Sequence, residues 1–266
     1  MASLPLCALL AFLPVLAWAQ DPRPDDAVVV TAVRNPVDKS YRRMLRGMET
    51  FEKRKRDLAP NATLRFKLLP RRTGTKFDTV NLELVGDSFA TPIEVAADNT
   101  FTVPRDRLAV KENASVQADR KELTMTWRAD VRSPGLPPGV RRLGDLRLEC
   151  AVGMEAGLIS NSRTGIGRLA RYLFDSADYC ERPRNRYLFF ADRPVFNVTL
   201  VSGNRREELP VERLYAGATV DADWKRDLAY CDCEVLIDRA YFMPLGDRSW
   251  PDDTLVYFEY MDDDPR

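Results

Sequence analysis

Four cysteines offer the chain its most distinctive chemistry: Cys150, Cys180, Cys231 and Cys233. Asp232 alone separates the last two, so in an extended strand their side chains share a face, and bridging them directly would close a strained ring. The expected pattern therefore joins Cys150 and Cys180 crosswise to the Cys231/Cys233 pair. Loops of roughly 50 to 80 residues closed this way stabilise a fold by about 4 kcal/mol each in the chain-entropy model. The alternative is a four-thiolate metal site or a redox pair. Structural zinc sites usually show two C-x-x-C pairs, whereas here a lone C-x-C stands far from two single cysteines, which favours disulfides.

Carboxylates cluster late, at Asp221, Asp223, Asp227, Asp232, Glu234, Asp238, Asp252-Asp253 and Asp262–Asp264. Paired carboxylates can hydrolyse glycosides, with Trp224, Trp250 and Tyr257 as sugar-stacking platforms, and clustered ones can hold calcium. Neither spacing is recognisable. Solvated turns and charged strand edges account for them better, and the aromatics read as core. Gly165-Ile-Gly167-Arg-Leu-Ala170 fits G-x-G-x-x-A, but a loop and not a strand precedes it, which argues against a dinucleotide site. No histidine is present, which excludes Ser-His-Asp and Cys-His catalysis and His-bound metal. Neither G-x-S-x-G nor S-x-x-K occurs. No catalytic residue, cofactor or metal is expected.

The 40 basic residues equal the 40 acidic ones, and a nucleic-acid binder needs a basic excess. Charge is nonetheless uneven: residues 21–72 hold 14 basic and 7 acidic side chains (net +7), residues 207–266 hold 6 and 16 (net −10). Opposite-sign ends attract, within one molecule or between copies.

Mean hydropathy is −0.34, and one long apolar run, Leu4–Trp18, precedes Ala17-Trp18-Ala19. Small residues at −3 and −1 predict a secretory signal peptide cleaved after Ala19, although no Lys or Arg stands before the run; Cys7 lies inside it, without a lipoprotein context. Export would place the mature chain, without a membrane span, in a periplasm or outside the cell, where disulfides persist. The 32 arginines against 8 lysines point to a GC-rich bacterium, in which the acceptor patterns at Asn61, Asn113 and Asn197 would carry no sugar.

These residues must be held by a scaffold that reads mainly β. Residues 38–58 repeat apolar side chains (Tyr41, Met44, Leu45, Met48, Phe51) every three or four positions, predicting an amphipathic helix capped by Asp38 or Ser40 and stopped by Pro60. Its other face carries Arg42, Arg43, Arg46 and Lys53–Arg56, suited to anionic lipid or an acidic partner, though an apolar stripe packed on a sheet with the charges simply in water accounts for it better. From residue 62 the period becomes two. Strands are expected around 64–68, 80–84, 101–103, 125–131, 145–152, 187–190, 196–201, 233–237 and 255–260, a short one at 28–30, and a second short helix at 167–178. One wet and one dry face per strand predicts antiparallel β-sandwiches.

Ser133–Gly139 (SPGLPPG) interrupts both helix and strand, giving a boundary between a β-sandwich domain at 62–135 and a second β-rich, disulfide-bonded domain at 140–262. Residues 1–19 are the signal and 20–61 the leader and helix. Val80–Val85 followed by Pro92-Ile-Glu echoes Phe196–Val201 followed by Pro210-Val-Glu, as two related hairpins would.

Thr79-Val-Asn-Leu-Glu-Leu-Val-Gly86 and Ala97-Asp-Asn-Thr-Phe-Thr-Val-Pro104 place residues 62–104 in a stretch that resembles the secreted carboxypeptidase-regulatory-like modules, related to the transthyretin fold. That family's D-G-x-F turn has Asn99 in place of Gly here, the next-best residue for a positive φ. The resemblance implies a β-sandwich used for stability or binding, with no catalytic residues of its own. The expected function is a non-enzymatic envelope module that binds another envelope protein or a surface polymer. The alternatives are a secreted carboxylate-based glycan hydrolase, and an adhesion or assembly subunit that augments a strand.

Overall fold

Both periodicities are realised in the computed structural model, which describes residues 33–158, 177–183, 185–217 and 234–262. The described residues are mainly β, with antiparallel sheets and an N-terminal helix.

The first sheet runs β1-β6-β3-β4, from β1 (Pro36–Ser40), β6 (Ser115–Lys121), β3 (Leu82–Val85) and β4 (Ala90–Ile93). β1 shortens the expected helix: residues 36–40 pair with β6, so α1 (Tyr41–Leu58) starts three residues late. Ser40 sits at its N-cap without a side-chain cap, and Tyr41 N–H instead donates to Ala114 O at 3.0 Å. The buried stripe is Tyr41, Met44, Gly47 and Phe51. Tyr41 is held at its polar end too, donating to Pro104 O at 2.7 Å and accepting from Asp106 N–H at 2.6 Å.

A second sheet, β5-β2-β7, joins β5 (Thr100–Phe101), β2 (Thr63–Pro70) and β7 (Met125–Arg132). Phe66, Phe101 and Trp127 meet ring to ring in its core, and α2 (Arg107–Lys111) lies in the same half of the sequence. Asp98 and Asn99 make the turn into β5. Asn99 takes φ 63°, and the Asp98 carboxylate accepts from Thr100 N–H at 3.0 Å, so the turn is fixed locally.

The later sheets are β11-β10-β13-β8 and β12-β9, from β8 (Val140–Arg142), β9 (Leu188–Phe190), β10 (Val195–Ser202), β11 (Arg205–Glu208), β12 (Ala240–Phe242) and β13 (Leu255–Tyr260). Both echo segments form hairpins, β3-β4 and β10-β11. They differ at the prolines: Pro92 lies inside β4, whereas Pro210 follows β11 and opens a 3-10 turn at Val211–Arg213.

Two strand expectations are corrected. Residues 145–152 lie in α3 (Leu143–Glu155), and 234–239 form a 3-10 helix. In α3 every residue from Leu143 to Met154 is buried. A helix buried all round shows no 3.6-residue stripe, and Asp145, Arg147 and Glu149 alternate with leucines as a strand's wet face would. Here those charged residues point inward to partners. The strand expected at 28–30 and most of the helix expected at 167–178 lie outside the described residues.

α3 packs on α1 and β7. Phe51, Ala59, Ala62, Ala129, Val131, Leu148 and Val152 form one buried cluster there. A Cβ on Gly47 would stand 2.8 Å from Ala156 Cβ and 2.9 Å from Val152 O, so glycine permits the two helices' close approach.

Candidate functional site

Chemistry-bearing side chains converge where α3 and β8 meet the open edge of β7. β7 is the last strand of its sheet, so its outer backbone groups need partners. Glu149 supplies an acceptor: its Oε2 takes the Val131 N–H at 3.0 Å and the Arg141 Nη2 at 2.7 Å. Arg141 Nη2 also donates to Val131 O at 2.5 Å. A buried ion pair thus occupies the place of a neighbouring strand. Burial pushes the Glu149 carboxyl up, against the downward pull of Arg141. Burial disfavours the Arg141 cation as well, but Glu149, Tyr241 and Asp130 together outweigh it and hold the guanidinium charged.

Around this pair lie Arg128 and the phenols of Tyr187 and Tyr241. Burial pushes Tyr187 up to about 12 and raises Tyr241 further. Arg128 lies over the Phe190 ring, 5.4 Å from its centre. Toward solvent the cluster ends on Asp192, which accepts from Lys67 Nζ at 2.5 Å and Arg132 Nη2 at 3.1 Å, while Arg132 Nε reaches Asp130 at 2.8 Å. Burial raises the Asp192 carboxyl, but Arg132 and Lys67 more than offset this and hold it well below the usual range. This cluster was invisible in the sequence, because its members come from five separate segments. The alternating charges of 145–149 were the available signal, and strand periodicity masked it.

A second opening is a cleft of about 630 Å3 beside β3 and β4. Asp78, Glu83 and Glu94 line it with Phe77, Val80 and Val95, and among the described residues no Lys or Arg contributes to its wall. Glu83 stands opposite Pro92 in the ladder, which makes Glu94 its diagonal neighbour, about 7–8 Å away in regular sheet geometry.

The late acidic residues scatter. Asp252 pairs with buried Arg147 at 2.5 Å, and Arg147 also donates to the carbonyls of Leu245, Asp247 and Trp250. Asp247 is tied to Ser249, whose hydrogen bonds lower its carboxyl, and Asp262 pairs with Arg193 at 2.8 Å. Trp250 is 2 % exposed and carries Arg205 above its ring at 3.6 Å, whereas Tyr257 is 39 % exposed. Asp221, Asp223, Trp224, Asp227 and Asp232 lie outside the described residues, as does Gly165–Ala170.

The cysteine pairing needs correction. Cys150 on α3 bonds Cys180 directly, with Cα atoms 6.0 Å apart, so neither can bridge to Cys231 or Cys233, which lie outside the described residues. The crosswise expectation rested on the strained ring that a Cys231–Cys233 bridge would close, and it overlooked a Cys150–Cys180 bond. As a helix, α3 instead presents Cys150 to the 3-10 turn Ala177–Glu181 that packs on it. Among the described residues no three His, Cys, Asp or Glu side chains gather as metal ligands, and no helix is long and apolar enough to cross a membrane. No protein-family model matches the chain, nor does any curated protein or solved structure.

Proposed function

We propose that the chain is an exported, non-catalytic contact module of a bacterial envelope, built from β-sandwich layers and bound to another envelope protein or a surface polymer. The observation that carries this reading is the cleft beside β3 and β4. Its carboxylates stand beside apolar side chains, with no basic residue in the lining among the described residues, a surface complementary to a cationic, partly apolar partner. The A-x-A signal and the buried disulfide support export. The likeness of residues 62–104 to carboxypeptidase-regulatory-like modules supports a sandwich used for binding, and the β3-β4 hairpin beside the cleft falls within that stretch.

A photo-crosslinker placed at Asn81 in the full-length protein, in its native envelope, tests the reading. A single recurrent partner is expected, lost when Glu83 and Glu94 are both changed to Lys. Capture that survives this charge reversal would sink it.

A carboxylate hydrolase is the second reading, and the diagonal Glu83/Glu94 pair favours it over the scattered late acids, since glycosidase carboxyls stand roughly 5–10 Å apart. It requires glycan turnover by the purified protein, abolished by Glu83→Gln or Glu94→Gln. The adhesion reading draws support from the open outer edge of β4. Pro92 opposes it there, because proline offers no N–H to an added strand.

A further inference from the structure

Where β7, α3 and β9 meet lies a small pocket of about 20 Å3, open on one side. Lys67, Arg128, Arg132 and Arg141 contribute to its lining, against Asp130 and Glu149. Adding Asp192, which touches Lys67 and Arg132 from outside, leaves four cations to three carboxylates, one negative charge short. Two donors on its lining residues have no hydrogen-bond partner among the described residues, Arg128 Nη1 and Arg141 Nε, on residues only 6 % and 5 % exposed. A buried guanidinium N–H left unmet costs more than a neutral one, so both call for an acceptor.

We propose that this cavity binds one small monovalent anion of the halide class, chloride in the cell, held by Arg128 Nη1 and Arg141 Nε. Size and charge decide the class. A cavity of about 10–15 Å3 admits one water-sized body, so this one has room for a single small ion at the two donors and disfavours the bulkier sulfate and phosphate there. One anion also completes the charge balance of the seam. The ion would then brace the ion pair that closes the β7 edge.

The test is urea unfolding of the intact protein at constant ionic strength, in sodium chloride, bromide or gluconate, with bromide-soaked crystals alongside. The folding equilibrium constant should rise saturably, ten-fold or more, in chloride and bromide and stay flat in gluconate. Anomalous scattering should place bromide between Arg128 and Arg141, and Arg128→Gln should remove the halide response. If that variant does not fold, the wild-type bromide map decides. Identical unfolding in all three salts, or density at the cavity that fits water alone, overturns the proposal, as does bromide found only on the surface.

Discussion

Glu149 and Arg141 are both buried, and each is tolerable largely because the other is there. Removing one partner of such a pair leaves an uncompensated buried charge, which costs about 3–5 kcal/mol. Glu149→Ala should therefore unfold at markedly lower urea, whereas replacing both residues by apolar ones of similar volume should cost less than the single change. A double-mutant cycle measures this, and additive losses would contradict it. Arg147 works alone against three carbonyls and Asp252. Arg147→Met should cost a similar amount and release amide protection in residues 245–252, read by hydrogen exchange. Asp192 gives a pH signature. Its carboxyl is held lower in the folded state than the unfolded value near 4, so its stabilisation is complete above that pH and fades as pH falls below it. Asp192→Asn should flatten the acid limb of stability against pH; an unchanged slope would show that the Lys67 and Arg132 contacts contribute nothing.

At the level of elements, α1 and α3 meet through Gly47, and overpacking a well-filled contact costs about 1–3 kcal/mol. Gly47→Leu should lower thermal stability accordingly, while Glu49→Leu on the exposed side should leave it nearly unchanged. The Cys150–Cys180 bond spans a sequence separation of 30, worth about 3–4 kcal/mol in the chain-entropy model. Cys150→Ala with Cys180→Ala should lower the free energy of unfolding in urea by about that amount, and equal unfolding curves would refute it. Alternation of apolar and polar residues was readable at Leu64–Leu68, Met125–Val131 and Leu255–Tyr260, which all lie in strands, although in Met125–Val131 the polar Thr126 and Arg128 are buried too. So was the apolar stripe of α1. The fully buried helix was not readable, because Asp145, Arg147 and Glu149 mimic a solvent face while pointing inward to Ser133, Asp252 and Arg141. The ion-pair cluster escaped for the related reason that no local spacing records which distant charges meet. The cleft's pair, Glu83 and Glu94, is set by the hairpin register and not by any motif.

Across the whole molecule, the net +7 of residues 21–72 and the net −10 of residues 207–266 should attract one another. Raising ionic strength from very low to about 0.15 M, where charges beyond about 8 Å are screened, should change hydrodynamic size or the exchange protection of α1. Constancy of both would dismiss long-range attraction as a factor. The Glu149–Arg141 pair has a further consequence at this scale. A strand margin whose N–H and C=O at Val131 are already engaged cannot recruit the margin of another molecule at that point. A protein crowded among its own copies gains protection against fibre-like stacking from two side chains, and losing either would raise clumping before it altered any recognition.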